Sequence, residues 1–284
     1  MKSDQAALAN WIGKTESRQE TLTQHPMDAM AATLDRPAAD RRSVLPPLWH
    51  WLYFLDTPRQ SRLAADGHAE RGDFLPPIAL PRRMWAGSRI DFTDRLQIGD
   101  TVERTSVIRD IQHKQGRSGA LAFVSVEHTL ATSRGIALRE EHDIVYRDHA
   151  APGAVLPPPE PAPAQSDFSR TVTPSSVLLF RYSALTFNGH RIHYDREFAA
   201  STEGYPGLVV HGPLLATLMV DLLLASLPGC TLSRFEFKAL RPVFDLAPFT
   251  VCVKSPDSAN VAQLWVQDEL GALCMRGSAT LEKR

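Results

Sequence analysis

Cysteine is scarce: 3 residues in 284, with no C-x-x-C pair, which excludes a disulfide framework and leaves Cys230, Cys252 and Cys274 to be read as reduced, mostly buried thiols. An excess of either charge is missing too. The 31 basic and 32 acidic side chains give a formal charge of −1, so there is no positive field for wrapping nucleic acid. No unbroken apolar run of about 18 residues suggests a membrane span; the greasiest stretch, Leu208–Leu227, is interrupted by His211, Gly212, Pro213 and Asp221. Met1–Lys14 contains Lys, Asp, Asn and Trp without an apolar secretory core, and a cytoplasmic location is the expectation. What is present is 43% hydrophobic and 22% charged, the proportions of a soluble globular protein with enough apolar mass for one large or two ordinary domains.

Six prolines fall in the fourteen residues of Ala151–Ala164, a segment short of donors that resists helix and sheet. It separates a first half, residues 1–150, from a second, 167–284, with 151–166 as linker. Each half reads as helical material followed by strands. In the second, Thr173-Pro174 is a helix start for Ser175–Leu185, and Leu214–Ser226 is apolar nearly all round, hence a buried helix. Period-two alternation then marks Phe235/Phe237, Phe249/Val251/Val253, Leu264/Val266 and Leu273/Met275 as strands. In the first half Pro46–Leu55 reads as an aromatic helix, and Met84–Phe92, Thr101–Gln112, Leu121–Leu130 and Ile136–Tyr146 as strands, with a hairpin turn at Lys114–Gly119. Met1–Glu20 reads as a helical packing arm carrying Trp11 and Ile12. The fold class predicted is α+β, a sheet wrapped around a central helix, duplicated.

Chemistry concentrates in Arg181–Asp195, RYSALTFNGHRIHYD, with His211 at the entrance of the long helix. Four readings fit these residues. They form a solvated loop; or His190, His193 and His211 bind a metal; or Ser183 or a cysteine acts as nucleophile, though no G-x-S-x-G elbow is present; or His193 acts as general base on a water oriented by Asn188.

The spacing from Asn188 through Ile192-His193 to Asp195, followed by Val210-His211-Gly212-Pro213-Leu214, resembles the hydratase-2 or MaoC-like motif. More particularly, RYSALTFNGHRIHYD and EGYPGLVVHGPL, with RRMWAGSRIDF and REEHDIVYRD in the first half, are similar to the double hot-dog branch of hydroxyacyl-thioester dehydratases and C5-dicarboxylyl-CoA hydratases. The resemblance implies a double hot-dog fold and a hydro-lyase needing no metal or organic cofactor. His193 would be the general base, Asn188 the orienting partner, and the Gly212 N–H, at the positive end of the long helix, the oxyanion donor. Two positions depart from the family pattern: Asn188 stands where Asp is usual, and His190 where Asn is usual. An amide cannot relay a proton at neutral pH, so His193 is left as the strong proton-transfer candidate.

The implied substrate is an acyl-CoA, preferentially itaconyl-CoA or mesaconyl-C4-CoA giving citramalyl-CoA; a 3-hydroxyacyl-ACP dehydratase, a hot-dog thioesterase and a non-catalytic acyl-CoA-binding module are the alternatives. Arg83, Arg181, Lys238 and Arg241 are candidates for CoA phosphates or an acyl carboxylate, with Arg181 and Arg241 preferred for the latter; Arg82 and Arg89 are further basic candidates. His190, Tyr194 and His211 are candidates for substrate contact. No histidine follows Asp35 at the motif spacing, so residues 1–150 are expected to be catalytically silent and to help form the CoA and acyl site. Exposed sheet edges make a homodimer the expectation.

Overall fold

Strands form where period-two alternation occurs. In the computed structural model, which describes residues 8–37, 44–116, 119–148 and 158–283, the first half runs β1 (Thr15–Thr21), α1 (Gln24–Thr33), a 3-10 turn (Trp49–Leu52), β2 (Arg82–Phe92), β3 (Thr101–Gly116), β4 (Gly119–Thr132) and β5 (Gly135–Arg147). The second half runs β6 (Phe168–Val172), α2 (Ser176–Leu185), a 3-10 turn (Arg191–His193), α3 (Arg196–Ser201), α4 (Gly212–Ser226), β7 (Cys230–Ala239), β8 (Phe249–Lys254), β9 (Val261–Gln267) and β10 (Leu273–Lys283). These ten strands form one sheet in the order β1-β3-β4-β5-β2-β7-β10-β9-β8-β6. Read inward from its two edges, the sheet repeats itself: β1, β3, β4, β5, β2 correspond in turn to β6, β8, β9, β10, β7. That is the duplication, and β2 joins β7 antiparallel at its centre. Gly87 permits the junction, since a Cβ there would lie 2.4 Å from the Phe237 carbonyl oxygen.

The long helix α4 packs on β6 to β10 and buries Leu214, Leu215, Leu218, Met219, Leu222 and Leu223. One apolar core runs from these residues across to Trp49, Leu52 and Ile90 of the first half. Burying a Leu side chain is worth about 1.5–3 kcal/mol, so α4 is the principal apolar anchor of the second half.

Three expectations are corrected. The aromatic helix at Pro46–Leu55 shrinks to Trp49–Leu52, because Leu48 (φ 71°) and Phe54 (φ 54°) are both left-handed and stop propagation on either side. Thr15–Thr21 is a strand rather than part of a helix: it pairs with β3 from Thr15↔Val107 to Thr21↔Thr101 as an edge strand, and Thr15 and Thr21 favour that state; residues 1–7 lie outside the described residues. The cap of α2 is Ser175, whose hydroxyl accepts from the Leu178 N–H at 3.1 Å, two residues later than Thr173. Of the proline-rich segment, residues 151–157 lie outside the described residues; Glu160 and Ala162 are bonded to Leu273 and Gly271. Among the described residues no helix is long and apolar enough to cross a membrane.

Candidate active site

Between α2 and α3 the chain makes a compact polar turn. Phe187, with φ 49°, ends α2, and Asp195 starts α3 by accepting the Phe198 N–H at 3.0 Å. The Asn188 side-chain oxygen accepts the His190 N–H at 3.0 Å, which leaves its amide NH2 as the available donor. His193 is buried, and its Nδ1–H donates to the Val209 carbonyl at 2.7 Å. That bond fixes the tautomer and leaves Nε2 as a bare acceptor. Behind it the His211 ring stacks at 3.7 Å between centroids, and His211 Nε2 bonds the Ser183 hydroxyl at 2.8 Å.

The first half closes over this turn. Ala64–His68 forms a tight loop in which Ala64 N–H meets the His68 carbonyl at 2.8 Å and Gly67 N–H the Ala64 carbonyl at 2.9 Å. Asp66 accepts the His68 backbone N–H at 3.0 Å and its ring Nδ1–H at 2.8 Å. Arg191 clamps the loop: its backbone N–H donates to the Asp66 carbonyl at 2.9 Å and its Nη1 to the Ala65 carbonyl at 3.1 Å. Gly67 (φ 87°) lies so close to Gly189 that a Cβ would be 1.9 Å from the Gly189 oxygen.

The result is a row of imidazoles. His68 lies 4.0 Å from His190 between ring centroids, His190 5.5 Å from His193, and His193 3.7 Å from His211. Burial lowers the His193 pKa to about 4, a shift opposed by the hydrogen bond to Val209 and deepened by nearby His68. Burial, then the neighbouring His68 and His193, lower His190, and burial holds His211 well below the usual histidine range. His68 is also lowered, by burial first, with Asp66 opposing and Arg83 and Arg71 adding. Burial pushes the Asp66 carboxyl up, but its hydrogen bonds to His68 outweigh this and hold it below the ordinary value. All four rings are therefore neutral at pH 7.

Beside the row opens a cleft of about 700 Å³, walled by Phe180, Ser183, Ala184, Phe187, Asn188, Arg191 and Tyr194 from the second half and by Leu63, Gly67, His68 and Arg83 from the first. Asn188, Tyr194 and Arg83, all expected at the site, line it; the Tyr194 hydroxyl also donates to the Gly189 carbonyl at 2.9 Å. His190 and His193 stand behind its wall. Gly212 begins α4 immediately after His211; Pro213 follows, and no neighbour would obstruct a Cβ on Gly212, the nearest atoms being 3.9 Å away.

Other expectations are corrected. His211 is completely buried and bonded to Ser183, a residue of the cleft wall, so its ring does not itself reach the cleft. Arg181 is exposed, one residue out of phase with the α2 face of Phe180, Ser183, Ala184 and Phe187 that walls the cleft. Lys238 alternates outward from the inward Phe235 and Phe237 on β7. Arg241 follows β7 with its N–H on the Cys274 carbonyl at 3.1 Å, outside the cleft wall. Arg82 and Arg89 are taken by Glu203 and by Glu141 and Asp143. Asp66, Gly67 and His68 were not foreseen; the only local signal is an Asp-Gly turn followed by a histidine. Asp66, His68 and His190 each bring a ligand-type atom within 4.8 Å of the others, a donor set of the kind a divalent cation uses. Asp66 and His68 are, however, already bonded to each other, so the trio stands as a dyad with a third ring beside it.

The repeated five-strand half with its central helix defines a double hot-dog. Its fold is similar to that of a MaoC-like dehydratase (TM-score 0.71, 12% identity, covering 96% of this chain and 99% of that one) and of a Mycobacterium tuberculosis protein described as having a double hot-dog fold (TM-score 0.59, 14% identity, 95% and 96%). The model of the hydroxyacyl-thioester dehydratase type 2 family matches residues 48–245. The chain is 48% identical over 279 residues to the mesaconyl-C(4)-CoA hydratase of Chloroflexus aurantiacus, covering 96% of each, and 26% identical over 277 residues to the mitochondrial hydroxyacyl-thioester dehydratase type 2 of Schizosaccharomyces pombe, covering 86% of this chain and 90% of that one. The chain belongs to the hydroxyacyl-thioester dehydratase type 2 family, a group of hydro-lyases.

Proposed function

We propose that the protein adds water across the double bond of a 2-enoyl-CoA carrying a second carboxylate, mesaconyl-C4-CoA, or across that of its β,γ-unsaturated isomer itaconyl-CoA, to give citramalyl-CoA. The observation that carries the reading is His193: its Nδ1–H is committed to Val209, so its Nε2 is an unprotonated base at neutral pH. In the proposed step Nε2 takes a proton from a water oriented by the Asn188 amide. On mesaconyl-C4-CoA the water oxygen bonds to Cβ, and the π pair moves through Cα to the thioester oxygen as an enolate. The Gly212 N–H, one of the first-turn donors α4 cannot satisfy internally, receives that charge, and protonation at Cα completes the addition. The acyl portion passes Asn188 and Tyr194 to reach the inner wall of rings.

The free carboxylate is assigned to Arg83, because it lines the cleft whereas Arg181, Lys238 and Arg241 do not. The substrate class is supported by the 48% identity to a mesaconyl-C(4)-CoA hydratase. The chemistry asks for no metal or organic cofactor. Pairing with a second copy would use the free sheet edges at β1 and β6.

The test is a spectrophotometric panel of mesaconyl-C4-CoA, itaconyl-CoA and crotonyl-CoA. Loss of enoyl absorbance without release of CoA thiol is expected, fastest on a dicarboxylyl substrate. His193→Ala should lower kcat by roughly 100- to 10,000-fold, and Asn188→Ala by less. Thiol release would instead mark a thioesterase, and an unchanged His193→Ala rate would defeat the site assignment.

A further inference from the structure

The addition needs a proton at Cα as well as a base for the water, and the carboxylate that usually accompanies the motif histidine is replaced here by Asn188. We propose that His68, held by Asp66, is a second catalytic residue that exchanges the proton at Cα. This rests on the hydratase reading above.

Geometry carries the assignment. Of the imidazoles in the row 68–190–193–211, His68 alone among the described residues borders the cleft. Its Nδ1–H is donated to Asp66 at 2.8 Å. A carboxylate only accepts, so the proton that His68 gains and loses sits on Nε2, the other edge of the ring. Asp66 faces that ring as the negative partner of an imidazolium, supplying from the first half the charge that residue 188 does not. The loop is pinned to the motif by Arg191 on the carbonyls of Ala65 and Asp66, and by the Gly67–Gly189 contact. The dyad is thus positioned by the catalytic turn itself.

The proton balance is complete within the site. His193 Nε2 removes one proton from water as the C–O bond forms at Cβ. The His68 imidazolium releases its Nε2 proton to Cα as the enolate collapses. The proton on His193 then returns to His68, the His190 ring standing 4.0 Å from that of His68 and 5.5 Å from that of His193 between centroids. The net change is addition of one water. In the reverse direction neutral His68 removes the Cα proton and Asp66 stabilises the cation formed. The first half is then not catalytically silent.

Hydration uses protonated His68 and neutral His193, so at pH 7 it runs on the minority of molecules in which His68 carries the proton, and the rate should fall as pH rises past the His68 pKa. That pKa lies below the ordinary 6.5 through burial, opposed by Asp66 and reinforced by Arg83 and Arg71; His190 is the remaining ring against it. The test compares wild type, His68→Gln and Asp66→Asn on the best enoyl-CoA, after checking that melting temperatures match within a few degrees. The expected result for His68→Gln is a kcat reduced about 100-fold, KM within about threefold of wild type, and no alkaline limb in the kcat–pH profile. Asp66→Asn, which keeps an acceptor but not the charge, should lose less activity and shift that limb to lower pH. An active wild type with an unchanged rate and limb in His68→Gln overturns this inference alone. So does one stoichiometric divalent metal in the purified protein whose removal abolishes turnover, since His68 would then be a ligand. A wild type inactive on every enoyl-CoA overturns the hydratase reading and this inference with it.

Discussion

Gly67 is the residue on which the encounter of the two halves turns. It combines a left-handed backbone with a contact that admits no side chain: an added Cβ would fall 1.9 Å from the Gly189 oxygen. Gly99 has a comparable φ of 96° and open space around it, so the pair separates strain from clash. Gly99→Ala should cost about 1 kcal/mol from backbone strain alone. Gly67→Ala should cost roughly 1–3 kcal/mol more through overpacking and, because it pushes on Gly189-His190, should also lower kcat/KM at least tenfold. Thermal melts and steady-state kinetics on both variants decide it; equal effects would show that the Gly67 contact carries no positional information. The same position explains what sequence could and could not reveal. Asn188, which lines the cleft, and His193, which stands behind its wall, could be picked out from the sequence because the motif is nearly contiguous. His68 was not, because an Asp-Gly-His turn more than a hundred residues away acquires meaning only when Gly67 seats against Gly189.

At the scale of elements, helix and strand were read reliably where one physical signal dominated. Helix α4 is apolar nearly all round and bounded by Pro213 at its start and Gly229 past its end, and β4 alternates buried with less buried residues along most of its length. Reading failed where local signals conflicted. Trp49–Leu52 has helical hydrophobicity but is bracketed by Leu48 and Phe54 in left-handed conformations, which only tertiary packing selects. Arg181 was misjudged by helical phase, not by residue type. This contrast between α4 and its short first-half counterpart makes a prediction about stability. Met219 is fully buried on α4, with its Cε beside Gly277 on the sheet. Met219→Ala should therefore destabilise by about 2–5 kcal/mol, read as a lowered denaturant midpoint. A cost under 1 kcal/mol would mean that α4 is not the element anchoring the second half.

Across the whole molecule, the duplicated sheet encloses an unusual number of neutral imidazoles. His128 is held well below the usual range by burial and then by neighbouring His142, joining His68, His190, His193 and His211. In the first half, buried Glu140 bonds His50 at 2.9 Å and pairs with His142 at 2.7 Å. Burial raises its carboxyl, yet these histidines outweigh that and hold it well below the ordinary 4.5. The consequence for pH follows from proton counting. Between 6.5 and the lowered folded values, the unfolded chain binds protons on these histidines that the folded chain refuses, so stability rises with pH in that window. It is fully present above about 6.5, and the His193 part is lost as pH falls toward about 4; the Glu140 part is lost only below 4.5. A melting-temperature profile in constant ionic strength should thus be flat from pH 7 to 8 and decline steeply below pH 6.5. The acid decline should be shallower in His128→Gln, which removes one buried titrating ring remote from the cleft while keeping a polar group for the Ser106 hydroxyl that His128 bonds at 2.9 Å. A profile flat down to pH 5, or an unchanged slope in that variant, would show that these rings are not buried as neutral groups, and the assignment of His193 as a ready base would lose its footing with them.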